Sequence, residues 1–331
     1  MGFVQVEGFS QAFAKPRDVG EELGMLCFER LEQLSQLEGP VALAIGVFDG
    51  LHLGHQEVIA AAAEHARQHR GQAVVMTFEP HPLAVLRPEL APRRLCGLGH
   101  RLRLLRGLSV AGVLACPFTP ELAATPAEDF VARLVGACQL GCISVGYTWT
   151  FGRGRGGNIH ALMDLGQKHG FAVYGVPPVR VDGEVVSSTS IREAVGGGDL
   201  ERAAHLLGRP YSLFGRVGEG RRLARELGFA TANVMPEADQ LPPFGVYAVR
   251  AEVGGVWRPG VANLGLRPTV ETAAAAPLLE THLFDWSGDL YGGGLEVRLE
   301  AFLRSEQRFA SVAELRQQIE RDAEAARLRL G

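Results

Sequence analysis

The chain predicts an α/β domain built on a parallel sheet, followed by a small antiparallel β-barrel with a terminal helix. Three observations lead there. Through residues 1–208, short apolar runs alternate with helix-period stretches, the pattern of strands joined by crossover helices. From 213 to 303 the texture changes to short β-rich runs punctuated by Gly and Pro. A chain of 331 residues is also longer than one core usually supports, so two domains are expected, 1–208 and 209–331.

Residues 1–39 precede the first strong strand and are expected to be peripheral, with Met25 an alternative start. Val41–Val47 reads as a buried strand. The Ala-rich run His55–Arg70 ends in basic residues and stops at Gly71, which reads as a helix. Ala73–Phe78 is the next strand. "GVLACPF" from Gly112, "CISVGY" from Cys142 and "FAVYGV" from Phe171 continue the series, with "AEDFVARLV" as a helix between. A short helix runs from Asp199 to Gly208. Beyond it, "VYAVRAEV", "GVANLG", "LLETHLF" and "LEVRLEAFL" supply the barrel strands. Ser311 and Glu314 have capping-box spacing, and Val312, Leu315 and Ile319 give the last helix an apolar stripe expected to dock.

Composition excludes several classes. The net charge of −4 gives no overall electrostatic footprint for nucleic acid, although Arg153/Arg155 and Arg221/Arg222/Arg225 cluster locally. No apolar run is long enough to span a membrane. Five cysteines without tight pairing read as reduced core thiols rather than a disulfide framework. The chain start lacks a secretion signal, so a cytoplasmic location is expected. Oligomeric state is not readable.

The informative stretch is "VFDGLHLGH", residues 47–55, at the end of the first buried strand and the start of a helix. Helix starts carry unpaired N–H groups and a dipole that favours an anion. Gly50 and Gly54 let the backbone approach a ligand, and His52 and His55, three apart, can aim both rings at one phosphate. A lone histidine would more simply cap or pack. "SSTSIR", Ser187–Arg192, stands before another helix and offers hydroxyls, N–H groups and a guanidinium for phosphate oxygens. By contrast, "FGRGRGGN" at 151–158 lacks the ending of a P-loop and reads as a mobile loop.

The histidine and "SSTSIR" motifs resemble the nucleotidyltransferase superfamily, which implies a Rossmann-like first domain. "FEPHP" (78–82), "LLGRPY" (206–211), "LGFATAN" (227–233), "GVYAV" (245–249), "GVANLGLRPTV" (260–270) and "LETHLFDW" (279–286) narrow it. In order and together, they make the chain similar to the bacterial bifunctional riboflavin kinase/FAD synthetase family over roughly residues 40–325. The resemblance implies two reactions. The second domain would phosphorylate riboflavin with ATP to FMN; the first would adenylylate FMN with a second ATP to FAD and pyrophosphate. The implied partners are therefore ATP, riboflavin, FMN and FAD, and the implied cofactor is Mg2+.

For the adenylyl site, the resemblance implies that His52 and His55 serve the ATP phosphates, with Gly46, Phe48, Gly54, Ser188, Thr189 and Arg192 around the nucleotide. Phe78, Pro80, Thr148 and Arg267 fall to the flavin. For the kinase site, it implies Glu280 as the base that activates the ribityl hydroxyl. Thr231 and Asn233 would be metal ligands, and Arg225 would bind ATP. Without the resemblance, Glu280 reads as an exposed strand residue and the Thr/Asn pair as a turn. Three positions depart from the family pattern: Thr148 for Asp or Asn, Ala224 for Gly, and Ala230 for Pro. Two alternatives remain open from sequence: only one module is active, or the chain is a flavin-binding regulator without turnover. Products formed from riboflavin, ATP and magnesium separate the three.

Overall fold

The structure, a computed structural model, describes residues 24–218, 231–268 and 275–331. The first part is a six-stranded parallel sheet made of β1 (Leu26–Phe28), β2 (Val41–Ile45), β3 (Gln72–Glu79), β4 (Gly112–Pro117), β5 (Leu140–Gly146) and β6 (Ala172–Val176), in the spatial order β1-β4-β3-β2-β5-β6. All five pairings are parallel. β2 lies between β3 and β5, and the order reverses at it.

Alternation along β2 sets the two layers. Val41, Leu43 and Ile45 pack with Phe130 and Leu134 of α3 (Ala127–Ala137) and Leu162 and Leu165 of α4 (Ile159–His169). Ala42 and Ala44 face the other way, against Val58, Ile59 and Ala62 of α1 (Leu53–Gln68) and Leu102 and Leu105 of α2 (Leu98–Leu105). The small residues on that face let α1 lie close, and the Ser144 hydroxyl donates to the Val58 carbonyl at 2.8 Å.

The segment before Val41 gives more than its sequence suggests. β1 adds an edge strand to β4, and Leu34 is fully buried. A three-residue strand has no periodicity for a sequence reading to detect. "FGRGRGGN" is organised as a short 3-10 turn closed by a Phe151–Gly157 bridge, with Phe151 buried. All five cysteines are free, and burial pushes the Cys96 thiol up to about 11 and that of Cys142 to about 12.

After a two-stranded ribbon, β7 (Arg180–Val181) and β8 (Glu184–Val185), come α5 (Ser188–Gly197) and α6 (Leu200–Leu207). The barrel follows: β9 (Ser212–Gly218), β10 (Thr231–Pro236), β11 (Gly245–Val253), β12 (Val256–Pro268), β13 (Ala275–Leu283) and β14 (Gly294–Arg304). It closes in the order β10-β13-β12-β11-β14-β9, with β9 pairing back to β10. The expected division at 208/209 falls between α6 and β9, yet the apolar core does not break there. Ile191 and Val195 of α5 and Leu206 and Leu207 of α6 share one cluster with Leu213, Val249, Leu264 and Leu279 of the barrel.

The last helix, α7 (Val312–Leu330), packs on β11, β12 and β14. Ser311 caps it by accepting from Glu314 N at 3.2 Å, while the Glu314 carboxylate accepts from Ala310 N rather than closing a box on Ser311. Leu315 and Ile319 are half-buried, but Val312 is 56% exposed and takes no part in docking. The apolar contact lies further along, where Ala323, buried Ala326 and Leu330 pack with Val246, Ala248, Val261 and Phe284, and a polar tie joins it. Arg304 donates to both Asp322 oxygens, at 2.9 and 2.7 Å, with Asp322 buried.

Candidate functional site

The loop from Gly46 to His52 leaves the carboxyl end of β2 at the strand-order reversal, where parallel α/β sheets bind ligands. Two non-glycine residues in it, Phe48 (φ 53°) and Leu51 (φ 44°), hold left-handed backbone. Such conformations persist only where the surroundings impose them. Here the imposing group is Asp49, 4% exposed. Its carboxylate accepts from Leu95 N at 3.0 Å, Cys96 N at 3.1 Å and Arg192 Nη2 at 2.5 Å. Its carbonyl accepts from the Ser188 hydroxyl at 3.0 Å.

His52 is the N-cap of α1. Its Nδ1 accepts the His55 N–H at 3.2 Å, so the proton of the neutral ring sits on Nε2, leaving that nitrogen as a donor. The two rings stack at 3.5 Å with 16° between planes, and Phe48 meets His55 edge-on at 5.3 Å. Gly54 makes the stack possible, since a Cβ there would lie 3.2 Å from the His52 ring. Burial lowers the His52 pKa to about 4, opposed by Asp49 and aided by Arg209 and Arg192. Burial also holds His55 well below its ordinary value, and the charges of His52, Arg101, Arg209 and Arg192 add to that. Both imidazoles are therefore neutral near pH 7 and stand among the cationic side chains of Arg101, Arg192 and Arg209.

A second helix starts at the same place. Ser187 caps α5, accepting from Ser190 N at 3.1 Å while the Ser190 hydroxyl accepts from Ser187 N at 3.2 Å. The first turn carries Ser188 and exposed Thr189, and Arg192 follows on the next turn, its Nε donating to Arg93 O at 2.7 Å. Two helix N-termini thus meet at one loop. Gly46 and Phe48 serve from beneath. Phe48 is 1% exposed, and a Cβ on Gly46 would sit 3.1 Å from its ring.

The expected flavin residues of this domain lie at the ends of the strands flanking β2. Phe78, near the end of β3, is buried edge-to-face on Phe118 at 5.8 Å, and Pro80 beyond it is exposed. Thr148 stands on the exposed turn after β5, next to the stacked pair Trp149 and Phe151. Arg267 is distant in sequence, on β12 opposite Ala276; its side chain lies outside the described residues, as do Arg225, Ala224 and Ala230.

The barrel carries the second constellation. Thr231 and Asn233, two apart on β10, point to one face. Asn233 stands opposite Glu280 of β13, which stands opposite Asn263 of β12. Thr231, Asn263 and Glu280 line a cavity of about 260 Å3 closed by Leu315 and Ile319 of α7. Asn233 is 4% exposed beside it, and its Oδ1 has no hydrogen-bond partner among the described residues. Asn263, which donates to Glu306 Oε1 at 3.3 Å, was not singled out from sequence. Only strand register reveals it. A larger groove of about 610 Å3 runs along α1 beside Gly107–Ala111 and contains none of the residues expected in either site.

The His52 environment has a measurable consequence. Its pKa is about 6.5 in an unfolded chain and about 4 when folded, so between those values the unfolded chain binds more protons. The stabilisation is full above pH 6.5 and is lost as pH falls toward 4, amounting to roughly 3 kcal/mol at about 1.4 kcal/mol per pH unit. His52→Asn should flatten this part of the stability–pH curve measured by urea unfolding. An unchanged slope would show that His52 is not the group responsible.

A parallel α/β sheet with an anion-ready histidine loop, joined to a closed barrel with a carboxylate-lined cavity, defines a two-site phosphoryl- and nucleotidyl-transfer protein. Residues 34–190 match the FAD synthetase family and residues 207–330 the riboflavin kinase family. The chain is 42% identical over 284 residues to the bifunctional riboflavin kinase/FMN adenylyltransferase of Pseudomonas fluorescens, covering 86% of this chain and 91% of the relative. It is 41% identical over 303 residues to that of Escherichia coli K12, covering 90% and 95%. A crystal structure described as a macrolide-efflux protein from Streptococcus pneumoniae superposes with a TM-score of 0.76 at 28% identity, covering 92% of this chain and 98% of that one. The chain belongs to the bifunctional riboflavin kinase/FMN adenylyltransferase family. It phosphorylates riboflavin with ATP to FMN and adenylylates FMN with ATP to FAD and pyrophosphate. Enzymes of this kind typically need a divalent metal ion. No helix among the described residues is long and apolar enough to cross a membrane.

Proposed function

We propose that the two activities divide at about residue 208. Adenylyl transfer belongs to residues 1–208 around the His52/His55 loop, and riboflavin phosphorylation to residues 209–331 around Glu280. The observation that carries the first assignment is the meeting of two helix N-termini and two stacked neutral histidines at one loop. In adenylyl transfer, an FMN phosphate oxygen attacks the α-phosphorus of ATP and pyrophosphate leaves. The attacking phosphate is already ionised, so no strong base is needed; orientation and charge stabilisation are. His52 and His55 donate N–H bonds to the phosphates. Ser188, Thr189, Arg192 and the first-turn amides of α1 and α5 take up the rest of the developing charge. Phe78, Pro80 and Thr148 bound the flavin side, and Arg267 is retained as a flavin contact from the barrel.

In the kinase site, the nucleophile is a neutral hydroxyl and Glu280 takes its proton as the hydroxyl attacks the γ-phosphorus and ADP leaves. The metal assigned here is Mg2+. The donor set fits it: Thr231 and the orphaned Asn233 Oδ1 are hard oxygen donors beside a cavity for the phosphates. When bound, the ion neutralises phosphate charge; Arg225 is assigned to the same nucleotide. A cytoplasmic location follows from the substrates, all small metabolites of the cell interior. The test is to incubate the protein with riboflavin and ATP, with and without Mg2+, and to separate the flavins by chromatography. FMN should appear first and FAD after it, and a chelator should stop both. FMN without FAD would leave the chain with one active module, and bound flavin without product would make it a regulator.

A further inference from the structure

Arg209 stands between α6 and β9, in the "LLGRPY" stretch, to which no catalytic role is attached. Its guanidinium reaches back into the histidine loop. Nη2 donates to Gly50 O at 2.7 Å and Nη1 to Leu51 O at 3.0 Å, with a longer bond from Nη1 to Leu207 O at 3.4 Å. Gln56 reinforces the same seam, its amide donating to Leu51 O and Leu207 O, each at 3.0 Å. Gly50 and Leu51, whose carbonyls Arg209 holds, have φ of 80° and 44° and immediately precede His52. A bidentate clamp on consecutive carbonyls of a left-handed pair is a direct constraint on where the following helix begins. Arg209 has no carboxylate within ion-pair distance among the described residues, and its buried Nε has no partner. The guanidinium is therefore held directly by carbonyl dipoles rather than by an ion pair, with Glu296 its more distant counter-charge, and it acts on both imidazoles.

We propose that Arg209 is a positioning residue for adenylyl transfer: its clamp on the Gly50 and Leu51 carbonyls fixes the His52/His55 donors, and its charge, not neutralised by a direct ion pair, raises the positive potential offered to the nucleotide phosphates. The proposal rests on the assignment of adenylyl transfer to the histidine loop. It makes the loop dependent on a residue that follows α6, so the seam between the two catalytic parts is itself a component of the first site. Lysine keeps the charge but presents it as a point and cannot span two carbonyls in a plane. Alanine removes both.

The test measures steady-state kinetics of FAD formation from FMN, and of FMN formation from riboflavin, in Arg209→Lys, Arg209→Ala and His55→Ala. Histidine-selective NMR then follows the titration of the His52 and His55 rings. Arg209→Lys should lower kcat for FAD formation by about 10-fold with a small change in the KM for ATP, since misplaced donors are felt in the transition state. Arg209→Ala should lower kcat by about 100-fold and raise the KM for ATP as well. It should also shift the His52 titration upward, because a neighbouring cation is gone. FMN formation should change less than about two-fold in both. Full adenylyl activity with unmoved histidine titrations in both variants would overturn the proposal. A parallel fall of both reactions together with the melting temperature would also overturn it, by making Arg209 structural only. Should His55→Ala leave FAD formation intact, the underlying assignment fails instead, whatever Arg209 does.

Discussion

His55→Ala should reduce FAD formation from FMN by about 10²–10³-fold in kcat, the usual result of removing one fixed donor to a charged transition state. FMN formation should stay within about two-fold of wild type, because the substitution is remote from the barrel cavity. The ring removed is a neutral donor in the unliganded site and stacks on His52, whose N-cap bond is to the His55 backbone N–H and survives the substitution. Loss of activity would thus come from the missing side chain rather than from an unravelled helix start. Circular dichroism should be unchanged. FAD formation at wild-type rate would remove His55 from the chemistry.

Glu280→Gln should do the reverse. It preserves shape and strand pairing but cannot accept the ribityl proton. Phosphorylation of riboflavin should fall by about 10²–10⁴-fold, while FAD formation from supplied FMN stays near wild type. The kcat should fall much more than the KM for riboflavin changes, since the interaction lost is made only as the proton moves. A variant that phosphorylates riboflavin normally would reduce Glu280 to an exposed strand residue on β13.

What the sequence made legible follows from distance along the chain. β2 and α1 were readable because a buried run, an Asp-Gly turn and a helix-period stretch are local patterns. The His52/His55 pair was readable because both residues lie on one helix start. The bonds that shape that start were not. Asp49 pairs with Arg192 across 143 positions, and Arg209 meets Gly50 across 159. No spacing rule spans such gaps. The change of texture near 208 is readable in the sequence, while the shared core across that point is not, because the apolar residues of α5 and α6 look the same whichever side they cover. Val312 fits the helical stripe by spacing yet stays exposed, since the Arg304–Asp322 pair anchors α7 further along.

The closure of the barrel also sets an order of events during synthesis. β9 pairs with β14, so the first strand of the barrel waits for the last one, and Ser212 meets Arg298 only after the 85 intervening residues have been made. Such non-local pairing is slow because the loop must be closed before any contact rewards it. Until then Leu213 and Val217, and the faces of α5 and α6 that belong to the same core, have no complete partner. Until β14 is made, the parallel sheet has all its strands while the barrel is still open, and unpaired strand edges of that kind are where aggregation starts.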